Sequence, residues 1–188
     1  MSEENRQFVH LHLHTEYSLL DGATKISKVF ARCAELCQPA VAITDHGNMY
    51  GAMSFYKAAA DFNKKSDFKV KPIIGCEVYT APDRLARPAP GDRTYKANHL
   101  VLLCENETGY HNLVKLVSAG FTEGFYRKPR IDFELLSAHS EGLICLSACV
   151  AGELPQAILA GDLEGADAVV KRCKALFGDD YYVELQDH

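Results

Sequence analysis

Tryptophan is missing from the 188 residues, and that absence decides nothing about the fold. Other absences exclude more. No apolar run approaches the roughly 20 residues that a membrane-spanning helix needs. The N-terminus, Met1-Ser2-Glu3-Glu4-Asn5, is polar and acidic and lacks the apolar stretch of a secretory signal. The seven cysteines contain no CxxC pair and no regular spacing, so they read as reduced thiols of a cytoplasmic protein rather than a disulfide framework. Basic charge is not in excess: the net charge is -5, so no global positive field announces nucleic acid, although a local basic groove is compatible with it. There is no internal repeat and no low-complexity segment.

What remains is an ordinary globular balance, 47% hydrophobic and 24% charged, in a chain long enough for one domain with a substantial core. Strand signals at residues 8–13, 40–44, 71–79, 99–104, 143–146 and 181–185 alternate with helical periodicity. Ile26, Val29, Phe30, Cys33, Ala34 and Cys37 follow helical spacing. A second helix opens at Asn48 or Gly51, a third runs near residues 109–119, and a last one starts after Asp162, an N-cap type, and stops at Gly178, a C′ type. Alternating β and α units predict an α/β fold with parallel strands, and strands rich in Val, Ile and Leu suit burial on both faces. Residues 80–98 form a long irregular stretch with Pro82, Pro88, Pro90, Gly91 and the cations Arg84, Arg87, Arg93 and Lys96. It reads as a surface insertion or a functional loop.

The densest chemistry lies in Phe8-Val9-His10-Leu11-His12-Leu13-His14-Thr15. In a strand the three histidines share one face. Three imidazoles on a dry face are costly without partners, and a metal ion accepts several neutral imidazoles at once. Further ligand types recur where strands meet loops: Asp21, then Asp45 and His46 after the second strand, then Glu77 near the end of the third. In α/β folds, sites are built at the carboxyl ends of parallel strands. His12 and His14 are read as ligands together with His46 and Glu77; His10 lies deeper and is read as making a structural hydrogen bond. Asp45 should point away from the face of His46 and serve as an acceptor that orients an imidazole. His111 and His139 have no companions and read as solvent-exposed.

Two residues are open on spacing alone. His99 begins its apolar run, so either its strand is reversed or offset, or the residue is structural. Cys149, just after the fifth strand, is either a thiolate ligand or a small buried residue like Cys33, Cys37, Cys104, Cys145 and Cys173. Mixed His, Asp, Glu and Cys donors suit two or three divalent ions, zinc or manganese, with magnesium a further option. Such clusters support phosphoester hydrolysis. Arg127, Lys128 and Arg130, beside Phe125 and Tyr126, offer either candidate contacts to DNA phosphates with base stacking or a solvated loop.

The motifs His12-Leu13-His14-Thr15, Ser18-Leu19-Leu20-Asp21-Gly22, Thr44-Asp45-His46-Gly47 and Gly75-Cys76-Glu77 resemble the metal motifs of the PHP (polymerase and histidinol phosphatase) family. Residues 124–132, 143–153 and 182–186 narrow the resemblance to the branch found at the N-terminus of bacterial polymerase III alpha subunits, which replicate DNA. The resemblance implies a distorted (β/α)7 barrel spanning residues 1–188, with palm, fingers and thumb outside this chain. It implies the metal ligands His12, His14, Asp21, His46, Glu77, His99 and Cys149, settling His99 and Cys149 in favour of ligation. The family completes its site with an Asp-x-His motif farther along. Asp187-His188 lacks the intervening residue, so that motif and the last barrel unit are expected to be missing. The implied activity is metal-dependent 3′–5′ exonuclease or phosphodiesterase chemistry. The implied partners are DNA, the remaining polymerase domains, a proofreading exonuclease subunit and other replisome subunits, with no membrane. Two alternatives follow from the same family: a metal-stabilised platform that docks the proofreading subunit, and a free phosphatase acting on a small phosphomonoester.

Overall fold

The computed structural model describes residues 8–89 and 96–186. Residues 1–7, the loop residues Pro90, Gly91 and Arg93, and the terminal Asp187-His188 lie outside the described residues.

The elements run in the order α1 (Ile26–Glu35), β1 (Ala40–Ile43), α2 (Ala52–Lys65), β2 (Lys71–Thr80), β3 (Asn98–Cys104), α3 (Glu107–Thr122), β4 (Arg130–Ile131), α4 (Phe133–Ala138), β5 (Leu143–Leu146), α5 (Glu153–Leu159), α6 (Leu163–Phe177) and β6 (Tyr181–Tyr182). The long periodic elements fall where the pattern predicts. In α1 the buried residues Ile26, Val29, Phe30 and Cys33 repeat at helical spacing. In α6 the Asp162 side chain accepts from Gly165 N at 2.8 Å, and the helix ends at Gly178 with φ 58°. The short β4, α4 and α5 escape the sequence pattern because two to seven residues are too few to establish a period. Cys37 departs from expectation: it follows α1 exposed, with φ 56°.

One mixed sheet has the order β1-β2-β3-β5-β6, with β4 pairing to β2 at Tyr79 and Thr80. The pairs β1–β2 and β5–β6 are parallel, whereas β3 is antiparallel to both β2 and β5. The expectation of uniformly parallel strands therefore fails at β3. The segment joining β2 to β3 carries no crossover helix among the described residues, so the chain returns beside β2 in the opposite direction.

The first expected strand, residues 8–13, is an extended segment rather than a regular strand. Ala42 N donates to His10 O at 2.8 Å and Thr44 N to Leu13 O at 3.0 Å, so the segment lies along the free edge of β1, with a bend at His12. Tyr181–Leu185, the last expected strand, pairs only at Tyr181 and Tyr182. Among the described residues no backbone ladder joins the N-terminal segment to β6. The sheet is open, and the closed barrel implied by the resemblance is not observed.

Period two sorts the strand residues onto two faces. Cys76, Val78, Leu100, Leu102 and Cys145 face α3 to α6 and pack with Leu113, Leu116, Leu136, Leu154, Cys173 and Phe177. On the edge, Val41 and Ile43 pack with Phe30 and Phe55 of α1 and α2. Each buried Leu or Phe contributes on the order of 2 kcal/mol, so the helices hold the sheet firmly from one side. The other face is concave. It carries Ala42, Val101, Leu103 and Leu146 and borders a groove of about 1290 Å3. Glu77 and His99 share the parity of this inner face with Val101, which pairs with Glu77 in the ladder.

Candidate metal centre

The reversal of β3 decides the site. Glu77 lies toward the end of β2 and His99 near the beginning of β3. Because the strands run oppositely, both fall at the same rim of the sheet, where His99 pairs with Tyr79. Parallel bridges continue that rim on either side, His46 beside Glu77 and His99 beside Gly152. Thus the chain after β1, the end of β2, the start of β3 and the loop after β5 all converge.

Glu77 is fully buried at the centre. Its Oε2 lies 2.9 Å from His12 Nε2 and 3.9 Å from His14 Nε2. Its Oε1 lies 2.5 Å from His46 Nδ1 and 2.8 Å from His99 Nδ1. One carboxylate thus serves two separate groups, each able to hold a cation: His12, His14 and Glu77, and His46, Glu77 and His99. Around them, Asp21 Oδ2 lies 3.0 Å from His46 Nε2, and Cys149 Sγ lies 3.6 Å from His99 Nδ1. All seven residues expected as ligands therefore meet in one cluster.

The donor chemistry fits divalent ions. His12 Nε2 and His14 Nε2 face each other at 3.2 Å, and both also approach the same carboxylate oxygen. A proton on one ring can satisfy that encounter only as a hydrogen bond to one acceptor at a time, whereas a cation accepts several lone pairs together. Without a cation, protons compensate. Burial would raise the Glu77 carboxyl, but hydrogen bonds from His12, His46 and His99 outweigh it and hold it well below the usual carboxylate range. Burial alone would lower His12, yet Glu184 and Glu77 push it up to about 9. His46 is raised by its hydrogen bond to Glu77 against the effect of burial. His14 is lowered by burial and by the neighbouring His46. Burial lifts the Cys149 thiol.

Supporting contacts fix the ligand side chains. Asp45 is buried and accepts from Thr15 N at 2.6 Å, Thr15 Oγ1 at 2.7 Å and Ser18 Oγ at 2.7 Å. The expected direct contact with an imidazole is corrected: Asp45 reaches one only through Ser18, whose Oγ lies 3.2 Å from His14 Nδ1. The reason is strand alternation, which turns Asp45 to the side of the Thr15 turn. Ser18 Oγ also accepts from His46 N at 3.1 Å. Glu184, past β6, was not singled out by spacing; its Oε1 lies 2.7 Å from His12 Nδ1. The available signal was its position after a strand, the same as that of the other donors.

The PHP domain family model matches residues 10–188. The chain belongs to the PHP family. It is 49% identical over 185 residues to the DNA polymerase III subunit alpha of Treponema pallidum, covering 96% of this chain and 15% of that one. The corresponding subunit of Thermus aquaticus is 45% identical over 185 residues, covering 97% and 15%. The chain thus spans about 15% of the length of the curated relatives it matches. Among solved structures, a chain from Bifidobacterium adolescentis assigned as a metal-dependent phosphoesterase matches 93% of this chain and 55% of its own, at 16% identity and TM-score 0.42. An amidohydrolase from Chromobacterium violaceum matches 59% and 32%, at 22% identity and TM-score 0.39.

Other residues of this PHP domain sort plainly. His10 is exposed, with its ring against Phe8 at 4.8 Å; only its backbone carbonyl makes the expected structural bond. His111 is exposed beside Glu107, 3.7 Å away, and His139 caps α4 half-buried. Arg130 is corrected as a DNA contact. It is 1% exposed, with Nε donating to Gly124 O at 3.0 Å and an η nitrogen donating to Arg84 O at 2.9 Å and Ala86 O at 2.8 Å. Its guanidinium straps the loop after β2 to the α3–β4 turn. Arg127 and Lys128 are exposed. No described helix is long and apolar enough to cross a membrane.

Proposed function

We propose that this chain is the PHP domain of a replicative DNA polymerase III alpha subunit, acting in the cytoplasm on DNA as a metal-dependent 3′–5′ exonuclease. The observation that carries this reading is Glu77, whose two oxygens are divided between the His12–His14 and His46–His99 pairs. His12, His14, Asp21, His46, Glu77, His99 and Cys149 would hold two or three divalent ions, zinc or manganese by their mixed donors, with magnesium a further option. Bound there, such ions supply the Lewis-acid chemistry of phosphoester hydrolysis.

The chain's own residues then have distinct tasks. Glu184 and Ser18 orient His12 and His14, and Asp45 anchors Ser18. Lys128, at the rim, offers a cation to a substrate phosphate. The open sheet would form the greater part of a (β/α)7 barrel, a reading supported by the approach of its two edges at His12 and Glu184. Templated synthesis would belong to other domains of the polymerase, which are the expected partners together with a proofreading subunit and other replisome subunits.

The deciding experiment measures metal content and loss of 3′ nucleotides from single-stranded DNA, on this chain and on the longer polymerase subunit. Bound metal with degradation abolished by a chelator supports the nuclease. Bound metal with no degradation makes the cluster a structural clamp and the domain a docking platform.

A further inference from the structure

Three exposed aromatic rings follow one another across the surface, with Phe121 between Tyr50 and Phe125. Tyr50 is 67% exposed, Phe121 37% and Phe125 50%. Tyr50 and Phe121 have centroids 6.1 Å apart, and Phe121 and Phe125 stack at 6.2 Å with planes 18° apart. They come from separate elements: the turn after β1, the end of α3 and the turn before β4. These exposed large rings from three elements belong to none of the hydrophobic core clusters.

The turn that follows Phe125 reaches the metal rim through Lys128 and Pro129. Gly47, next to His46, sits so close to Pro129 and the Tyr79 ring that an added Cβ would fall within 3 Å of each. Tyr79 in turn lies 6.2 Å from His46 and 5.1 Å from His99, ring to ring. Lys128 Nζ is held 4.2 Å from the centroid of Tyr79. The tight turn Tyr126–Lys128 presents Arg127 beside it, with φ 63°. Among the described residues neither Arg127 nor Lys128 has a carboxylate partner, whereas Arg84 is bonded to Glu123 and Asp132. Glu123, the acidic residue of this turn, is thus already engaged.

We propose that Tyr50, Phe121 and Phe125 form a stacking platform for the bases of a single-stranded polynucleotide, with Arg127 and Lys128 holding its phosphates as the chain enters the metal rim. Rings that accept any base, beside cations with no carboxylate partner among the described residues, match the two repeating parts of an unpaired strand: flat bases and singly charged phosphates. A duplex would not fit, because its bases are already stacked. The inference rests on the nuclease reading of the metal centre for its purpose, but its geometry is separate from the ligands.

The test is binding of fluorescein-labelled oligothymidylate by anisotropy in excess EDTA, so that hydrolysis plays no part. Tyr50→Ala and Phe125→Ala should each weaken binding about fivefold or more, while Tyr50→Phe and Phe125→Tyr, which keep a π-face, should bind like the parent. Lys128→Gln should weaken binding and flatten its dependence on salt. Unchanged affinity in both alanine variants, with folding verified by circular dichroism, overturns the proposal. So does concentration-dependent self-association abolished by the same variants without oligonucleotide affinity. The nuclease reading fails separately: intact stacking with no metal-dependent cleavage sinks that reading and leaves the platform standing.

Discussion

His12 Nδ1 lies 2.7 Å from Glu184 Oε1, joining residues 172 positions apart. The same imidazole presents Nε2 to Glu77 at 2.9 Å. One ring therefore connects the extended N-terminal segment, the middle of the sheet and the tail of β6. Glu184 is itself placed by its backbone N, which donates to Ser147 Oγ at 2.9 Å after β5.

If His12 is a ligand, Glu184 sets the tautomer and direction of its ring. Glu184→Gln should then lower affinity for manganese or zinc by about 10- to 100-fold, measured by calorimetric titration of the metal-free protein. An unchanged affinity would reduce Glu184 to a tether between the two edges of the sheet.

Removing metal should destabilise the fold as well as stop chemistry. Free ion at about 100 times its Kd should add about 2.7 kcal/mol over the chelated protein, read as a rise in Tm. His14→Ala should shrink that rise and lower metal content and any exonuclease rate together. A variant that still carries the parent's zinc or manganese would refute the assignment of the cluster.

Arg130 and Arg127 separate a structural cation from a surface one. Arg130→Ala strips buried bonds from Gly124, Arg84 and Ala86 and should cost about 2–4 kcal/mol. Arg127→Ala, at an exposed position, should stay within about 0.5 kcal/mol of the parent. Urea unfolding of both variants checks the contrast; equal effects would contradict the burial of Arg130.

Asp132 predicts an acid-side signature. Burial would raise its carboxyl, but bonds from Arg84 N, Leu135 N and the Arg84 guanidinium outweigh it and hold it below the ordinary value of 3.8. Such a group stabilises the fold above its unfolded pKa, and that contribution disappears as pH falls through the lower folded value. Asp132→Asn keeps an N-cap for α4 but loses the charged pair with Arg84. It should be less stable by about 1 kcal/mol at pH 7, with the gap closing as pH drops below 3.8. A gap independent of pH would assign the effect to shape rather than charge.

Much of the site was legible in the order of residues. His12, His14, His46 and Glu77 sit in short motifs at strand ends, and the positions of strand ends can be read from periodicity. His99 could not be placed that way, because a ligand at the start of a strand reaches the rim only if that strand runs backward, and direction is a property of pairing rather than of local pattern. Cys149 and Asp21 lie in loops, whose paths no period describes. Arg130 misled because its sequence neighbours are aromatic and cationic; the carbonyls that bury its guanidinium come from residues 84, 86 and 124. Asp45 was correctly turned away from the ligand face, but the hydroxyl that relays it to His14 belongs to a turn, not to a strand. The bend at His12 is announced by nothing in the alternating His-Leu pattern.

The backward run of β3 has a consequence for how the protein can change. Glu77 and His99 are held by a six-residue ladder between β2 and β3, from Gly75–Leu103 to Thr80–Asn98, and not by the connector that links them. Past Pro88, beyond the carbonyls that Arg130 and Tyr126 hold, that connector can be lengthened, shortened or exchanged while the donor geometry stays under the control of strand register. It is a natural splice point, where a lineage or an engineer could insert a new module within reach of the metal rim without rebuilding the rim itself.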